Sequence, residues 1–150
     1  MRMLPICMVI STLLSMPAYA ASLRERIPEE EALASLELRA AQAPVKSQCY
    51  VYAQLVHEIV DYSARQYAAG NPEKASDMLK HSQDFIRKIR IDLTGNTKKV
   101  KESQILLRRT AYRLTDLLHS CNHDDRPLLE ETLAQLKRTD DDLLLCVFRK

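Results

Sequence analysis

The stretch SCNHDDRP, residues 120–127, decides how the chain folds around it. Cys121, His123, Asp124 and Asp125 are all metal-ligand types, so the segment reads either as a metal site or as a turn between helices. A metal needs several donors converging from fixed positions. Here they crowd one short segment, with no second cluster of matching spacing. C-x-H is not a zinc half-site, and a thiol beside carboxylates mixes soft and hard donors. The turn reading explains more. His119 suits the negative end of a helix. Asn122 suits the left-handed position after it. Asp124 or Asp125 caps the next helix, and Glu130 and Glu131 follow near its positive end. The segment is a helix stop, a turn and a helix start.

The same punctuation recurs upstream. The chain has only two glycines, Gly70 and Gly95, and each stands where one helical pattern stops and another begins. Asn71 and Pro72 follow the first, and Asn96 and Thr97 the second. These are residues for a helix cap and a first turn. Between the breaks, apolar residues recur every three or four positions, the spacing of one helix face. The seams are Tyr52, Leu55, Ile59, Tyr62, Gln66; Ala75, Met78, Ser82, Phe85, Ile89, Leu93; Val100, Gln104, Leu107, Ala111, Leu114, Leu118, Cys121; and Leu129, Leu133, Leu136, Asp140, Leu143, Val147. A weaker Glu-, Ala- and Leu-rich pattern spans Pro28 to Ala43. Short connections make successive helices antiparallel neighbours. The expected fold is all-α: an up-down-up-down four-helix bundle over residues 47–150 with an additional N-terminal helical arm over residues 21–46. YAAGNPEKA, residues 67–75, resembles the inter-helix turn of a tetratricopeptide repeat. The resemblance implies a helical hairpin there; no second copy stands about 34 residues away, as an array requires.

Residues 1–20 have the three parts of a secretory signal peptide: Arg2, an apolar run from Met3 to Met16, and the small-x-small triplet Ala18-Tyr19-Ala20. The run is shorter than the roughly 20 residues of a spanning helix. Cleavage after Ala20 is expected, with secretion or a periplasmic location and no transmembrane segment in the mature chain. Removal takes one basic residue, Arg2, from the 22 and leaves 20 acidic residues nearly balanced. That balance and the absence of tryptophan argue against a nucleic-acid partner.

Cleavage leaves Cys49, Cys121 and Cys146 in an oxidising compartment. Cys49 opens the first main helix and Cys146 closes the fourth, which returns to the same end. If those helices are neighbours, a Cys49–Cys146 disulfide is expected, with Cys121 left as a buried free thiol.

Gln104 and Asp140 occupy seam positions that should be apolar. They are expected to face each other in a buried polar layer that fixes register. HEIVD, residues 57–61, comes close to the H-E-x-x-H zinc helix but ends in Asp61, and His57 turns away from the seam by helical periodicity. It is expected at the surface. Charge is segregated: Arg87 to Arg113 holds nine basic and two acidic residues, and Asp124 to Asp142 seven acidic and three basic. Arg87, Lys88, Arg90, Lys98, Lys99 and Lys101 surround one turn and are candidates for contact with an anionic partner.

No nucleophile elbow, phosphate loop or C-x-x-C-H haem motif is present. The expected function is a non-enzymatic binding or structural role without a cofactor. A metal- or haem-binding bundle is the first alternative. The second is an adaptor whose basic tip meets an anionic surface or an acidic protein.

Overall fold

The computed structural model describes residues 29–91 and 97–148. The predicted signal peptide (1–20), residues 21–28 of the predicted arm, and the side chains of Arg90 and Lys98 lie outside what is described. Among the described residues there are five helices and no strand: α1 (Glu29–Gln42), α2 (Val45–Ala68), α3 (Pro72–Ile91), α4 (Thr97–Ser120) and α5 (Arg126–Phe148).

The helix ends follow the punctuation. α2 stops because Gly70 adopts φ +79°, open to glycine without a side-chain penalty. Its N–H bonds the Tyr67 carbonyl at 3.1 Å, and the Asn71 N–H bonds the Gln66 carbonyl at 2.9 Å. That pair of bonds satisfies carbonyls the helix leaves open. Asn71 starts α3 through its own carbonyl, which accepts from the Ala75 N–H at 3.2 Å. Residues 121–125 form a turn as well, and the Asp125 carbonyl accepts from the Leu129 N–H at 3.2 Å as α5 begins.

Contacts across the helices give their directions. Tyr52 stacks on Phe85 at 6.0 Å and Tyr67 meets Ser76 at 3.1 Å, so α2 and α3 form an antiparallel hairpin. α4 and α5 form a second. Between hairpins the pairs advance together: Cys49 with Ser103, His57 with Thr110, Asp61 with Arg113. So α2 and α4 run parallel. Ser76 with Asp125 and Gln83 with Thr132 make α3 and α5 parallel too. The two hairpins are stacked side by side. α1 lies antiparallel on α2, with Glu30 at Tyr62 and Ala40 at Gln48, and its outer edge reaches α3.

This corrects the expected neighbours. α5 packs on α3 and α4, and no Cα of α5 comes within 8 Å of a Cα of α2. A disulfide needs Cα atoms roughly 4.4–6.8 Å apart. No Cys49–Cys146 disulfide is present; the Cys49 thiol donates to Ser103 Oγ at 3.4 Å instead. Both cysteines do lie at the same end, but on helices at opposite corners. α3 and α4, consecutive in the chain, occupy the other two corners and do not pack together.

The core runs through the middle of all four corners. Leu55, Ile59, Phe85, Ile89, Leu107, Leu114, Leu129, Leu136 and Leu143 are essentially inaccessible. Burying each leucine or isoleucine contributes roughly 1.5–3 kcal/mol. Cys121 is half-buried against this core, its thiol near the Leu118 carbonyl at 3.5 Å, rather than fully enclosed.

Candidate functional site: a polar seam and a basic end

Small hydroxyl residues line the boundary between the hairpins. Ser103 and Thr110 stand seven residues apart on α4, and Thr132 and Thr139 seven apart on α5; all four are fully buried. Each hydroxyl donates to its own helix, one turn back, at 2.7–3.1 Å. The oxygen is then left to accept from the other hairpin. Ser103 takes the Cys49 thiol, Thr110 takes His57, and Thr132 takes the Gln83 amide at 3.0 Å. Periodicity in the apolar residues alone missed this seam. The signal was present as Ser and Thr at heptad spacing beside each apolar stripe.

His57 is therefore not turned out to solvent as the single-seam reading expected. α2 packs against α3 and α4, and its buried arc is wide enough to take in His57. Thr110 Oγ1 gives its hydrogen to the Leu106 carbonyl at 2.9 Å, so it accepts from His57 Nδ1 at 2.9 Å. His57 Nε2 faces Asp61 at 3.7 Å, and Asp61 accepts from Arg113 at 3.1 Å. Hydroxyl, imidazole and carboxylate in a row resemble a nucleophilic set. Such a set needs a hydroxyl whose proton passes to the imidazole. Here the proton is committed to the helix and the hydroxyl is fully buried. The chain of bonds ties α2 to α4.

The opening turn makes a comparable tie. Ser76 donates to Asp125 at 2.6 Å, so Tyr67 donates to Ser76 at 3.1 Å. Burial holds the Tyr67 phenol above its ordinary value, and the Asp125 charge adds to that. Asp125 thus joins the second hairpin's turn to the start of α3. His119 meets the Thr115 carbonyl at 2.7 Å in the last turn of α4, and His123 and Asp124 are exposed. Among the described residues no three His, Cys, Asp or Glu side chains converge on a metal position. His81 lies edge-on to Phe85 at 4.7 Å and meets Glu37 at 3.4 Å.

Gln104 and Asp140 are not bonded to each other. Arg108 Nε lies 3.6 Å from Asp140 Oδ2. Gln104 Nε2 and Asp140 Oδ1 are both buried, with no hydrogen-bonding partner among the described residues.

The parallel stacking gathers the basic candidates at one end. The starts of α2 and α4 and the ends of α1, α3 and α5 meet there. Lys88 lies over the rings of Phe85 and Tyr52, 5.1 and 5.5 Å from their centres. Lys99 pairs with Glu102 at 2.7 Å, which holds its ammonium above the ordinary value, and sits 4.3 Å over the Tyr50 ring. Arg87 pairs with Asp84. Lys101 and Lys46 are exposed. The same end carries exposed large apolar side chains: Phe148 (76%), Leu145 (61%), Val45 (59%) and Leu38 (59%). Sequence reading found the charges but not these residues, which stand off the seams.

This defines a class by architecture: stacked antiparallel helical hairpins with an amphipathic end. No family model, curated protein or solved structure matches the chain.

Proposed function

We propose that the chain is an exported, non-enzymatic helical-bundle protein whose basic, apolar-edged end docks on an anionic surface. Its signal peptide is removed after Ala20, and the four long helices alternate in direction along the chain. One observation carries the reading: Phe148, Leu145, Val45 and Leu38 are exposed at the end that also displays Lys46, Lys88 and Lys101. Exposed apolar residues beside cations suit the boundary between headgroups and acyl chains. No described helix is long and apolar enough to cross a membrane.

Each lysine near an anionic leaflet contributes about 1 kcal/mol. Three give about 3 kcal/mol, or about two decades of affinity. The test is co-sedimentation of the processed protein with phosphatidylglycerol-containing vesicles and with phosphatidylcholine vesicles. Binding is expected only to the former and should fall steeply between low and physiological salt. Lys88→Glu with Lys101→Glu should abolish it, whereas Lys80→Glu, at the other end, should not. Equal binding to zwitterionic vesicles, or none at low salt, refutes the proposal.

A further inference from the structure

α1 covers a groove that it does not fill. The groove floor is Leu55, Ile59 and Tyr62, each nearly inaccessible beneath the helix. From α1 itself only Leu33 and Ala40 are buried, with Leu36 partly so. A half-open crevice of about 280 Å³ remains between α1 and the α2–α3 hairpin, lined by Leu33, Ala34, Leu55, Ile59 and Met78. Ala34 stands where a larger side chain has room.

What holds α1 is charge at the rim. Glu30 pairs with Lys74 and accepts from the Tyr62 hydroxyl at 2.9 Å; Glu29 meets Arg65 at 3.3 Å; Glu37 meets His81 at 3.4 Å. The side chains in these contacts, Tyr62 apart, are all roughly half-exposed, and exposed pairs hold weakly. Every acid is on α1 and every base on the groove. Glu30 and Glu37 lie seven residues apart, two turns along one face. α1 has 14 residues, short for a helix standing alone, and joins α2 through Ala43 and Pro44 only.

We infer that this groove is a docking site for an acidic amphipathic helix of a partner protein, and that α1 is its displaceable occupant. The rim states what the partner must carry: carboxylates two turns apart, matching Lys74 and His81. The crevice adds a bulky aliphatic residue at the position α1 gives to Ala34. Such a helix makes the contacts α1 makes and fills the remaining space, so it displaces α1. Recognition is of the helix-in-groove kind. The site is separate from the basic end, and its test involves no membrane.

The experiment uses the isotope-labelled processed protein and a peptide of residues 29–42 carrying Ala34→Leu. Saturable shifts are expected at the amides of Leu55, Ile59 and Tyr62, with at least about tenfold weaker binding for a peptide with Glu29, Glu30 and Glu37 changed to Lys. Lys74→Glu, an exposed change, should weaken the acidic peptide and restore the reversed one. In hydrogen exchange α1 should open at least tenfold more readily than α2. Unchanged groove amides, or α1 amides that exchange only with the core of α2, overturn the inference. So does a doubled mass for Leu33→Ala in light scattering, which assigns the groove to α1 of a second copy.

Discussion

Gln104→Leu should make this protein more stable. Gln104 is 7% exposed, and its Nε2 meets no acceptor among the described residues. A buried donor left unpaired costs about 1–3 kcal/mol. Leucine keeps most of the volume and removes the donor, and a shape mismatch in a packed site gives back up to about 1.5 kcal/mol. The net expectation is a gain of about 1–2 kcal/mol. Unfolding entropy near 2.1 cal/mol/K per residue over about 115 ordered residues makes this about 4 °C per kcal/mol, so the midpoint should rise by about 4–8 °C. Thermal and urea unfolding followed by circular dichroism read both quantities. The urea slope should not change, because the native fold is the same. Asp140→Leu, tested alongside, should also stabilise. It removes an unpaired carboxylate oxygen, and its partner Arg108 is half-exposed and can be solvated. The double variant separates two accounts of the polar positions. Additivity within about 0.5 kcal/mol means that the residues act independently; a larger coupling means that they share one layer. A Gln104→Leu midpoint lowered by 4 °C or more at constant slope refutes the reasoning, because the amide must then be satisfied and stabilising.

Thr110→Val keeps the shape and deletes the oxygen that accepts from His57, so a loss of about 1 kcal/mol is expected. Urea titration measures it, and a shift of the His57 ring resonances confirms the cause. Gly70→Ala places a side chain at φ +79° with nothing within 4 Å of its Cβ. The strain is purely of the backbone, about 1–2 kcal/mol, and Gly70→Asn should cost less. The anchoring of α1 should depend on pH. Lys74 and Tyr62 hold the Glu30 carboxyl below its ordinary 4.5, so its contribution is complete above 4.5 and is lost as pH falls through the lower folded value. Glu30 holds the Lys74 ammonium above its ordinary 10.5, so that contribution is complete below 10.5 and lost only at higher pH. The protection of α1 amides, measured as exchange relative to the intrinsic rate at each pH, should therefore fall on acidification below about 4.5, and Glu30→Gln should weaken that dependence; an unchanged acid limb in the variant contradicts the assignment.

The helices were legible because their ends are made locally. Gly70, Asn71 and Pro72 determine a stop and a start with no reference to the rest of the chain, and SCNHDDRP does the same between α4 and α5. Which helices touch was not legible from seams. A seam says that one face is buried, not against what. Each of the four long helices packs against at least two others, and the apolar stripe marks the centre of its buried arc. Cys49 and Cys146 were placed at the correct end but on helices assumed to be adjacent. The heptad hydroxyls carry the missing information. Ser103 and Thr110 flank the α4 stripe on the side that meets α2, while Arg108, reaching Asp140, marks the side that meets α5. Short hydroxyl side chains let two helices approach while keeping their polar atoms bonded within their own turn. Their spacing, shared by Thr132 and Thr139 on α5, was the sequence-level sign of a second interface on each of these helices.

The same topology bears on how the molecule meets a surface. Parallel stacking of two hairpins brings the basic termini together, and it also gathers the acids at the far end. Glu29, Glu30 and Glu31 begin α1, Glu73 and Asp77 begin α3, and Asp124, Asp125, Glu130 and Glu131 begin α5. Arg65, Lys74, Lys80 and Arg126 offset fewer than half of them. The near-zero net charge of the whole chain therefore conceals a charge axis along the helices. A field of that form orients a molecule before contact, and an anionic surface repels one end while attracting the other. Apolar side chains are useful in docking only if they arrive first, and Phe148, Leu145 and Val45 sit at the attracted end. Moving the charge should thus reverse the order of arrival. Reversing Lys46, Lys88 and Lys101 to glutamate leaves Phe148 exposed but turned away from the membrane, and vesicle binding should be lost although the apolar residues are intact. If that variant still binds anionic vesicles at low salt with Phe148 shielded from an aqueous quencher, the apolar residues act without the charges and the oriented-docking argument fails.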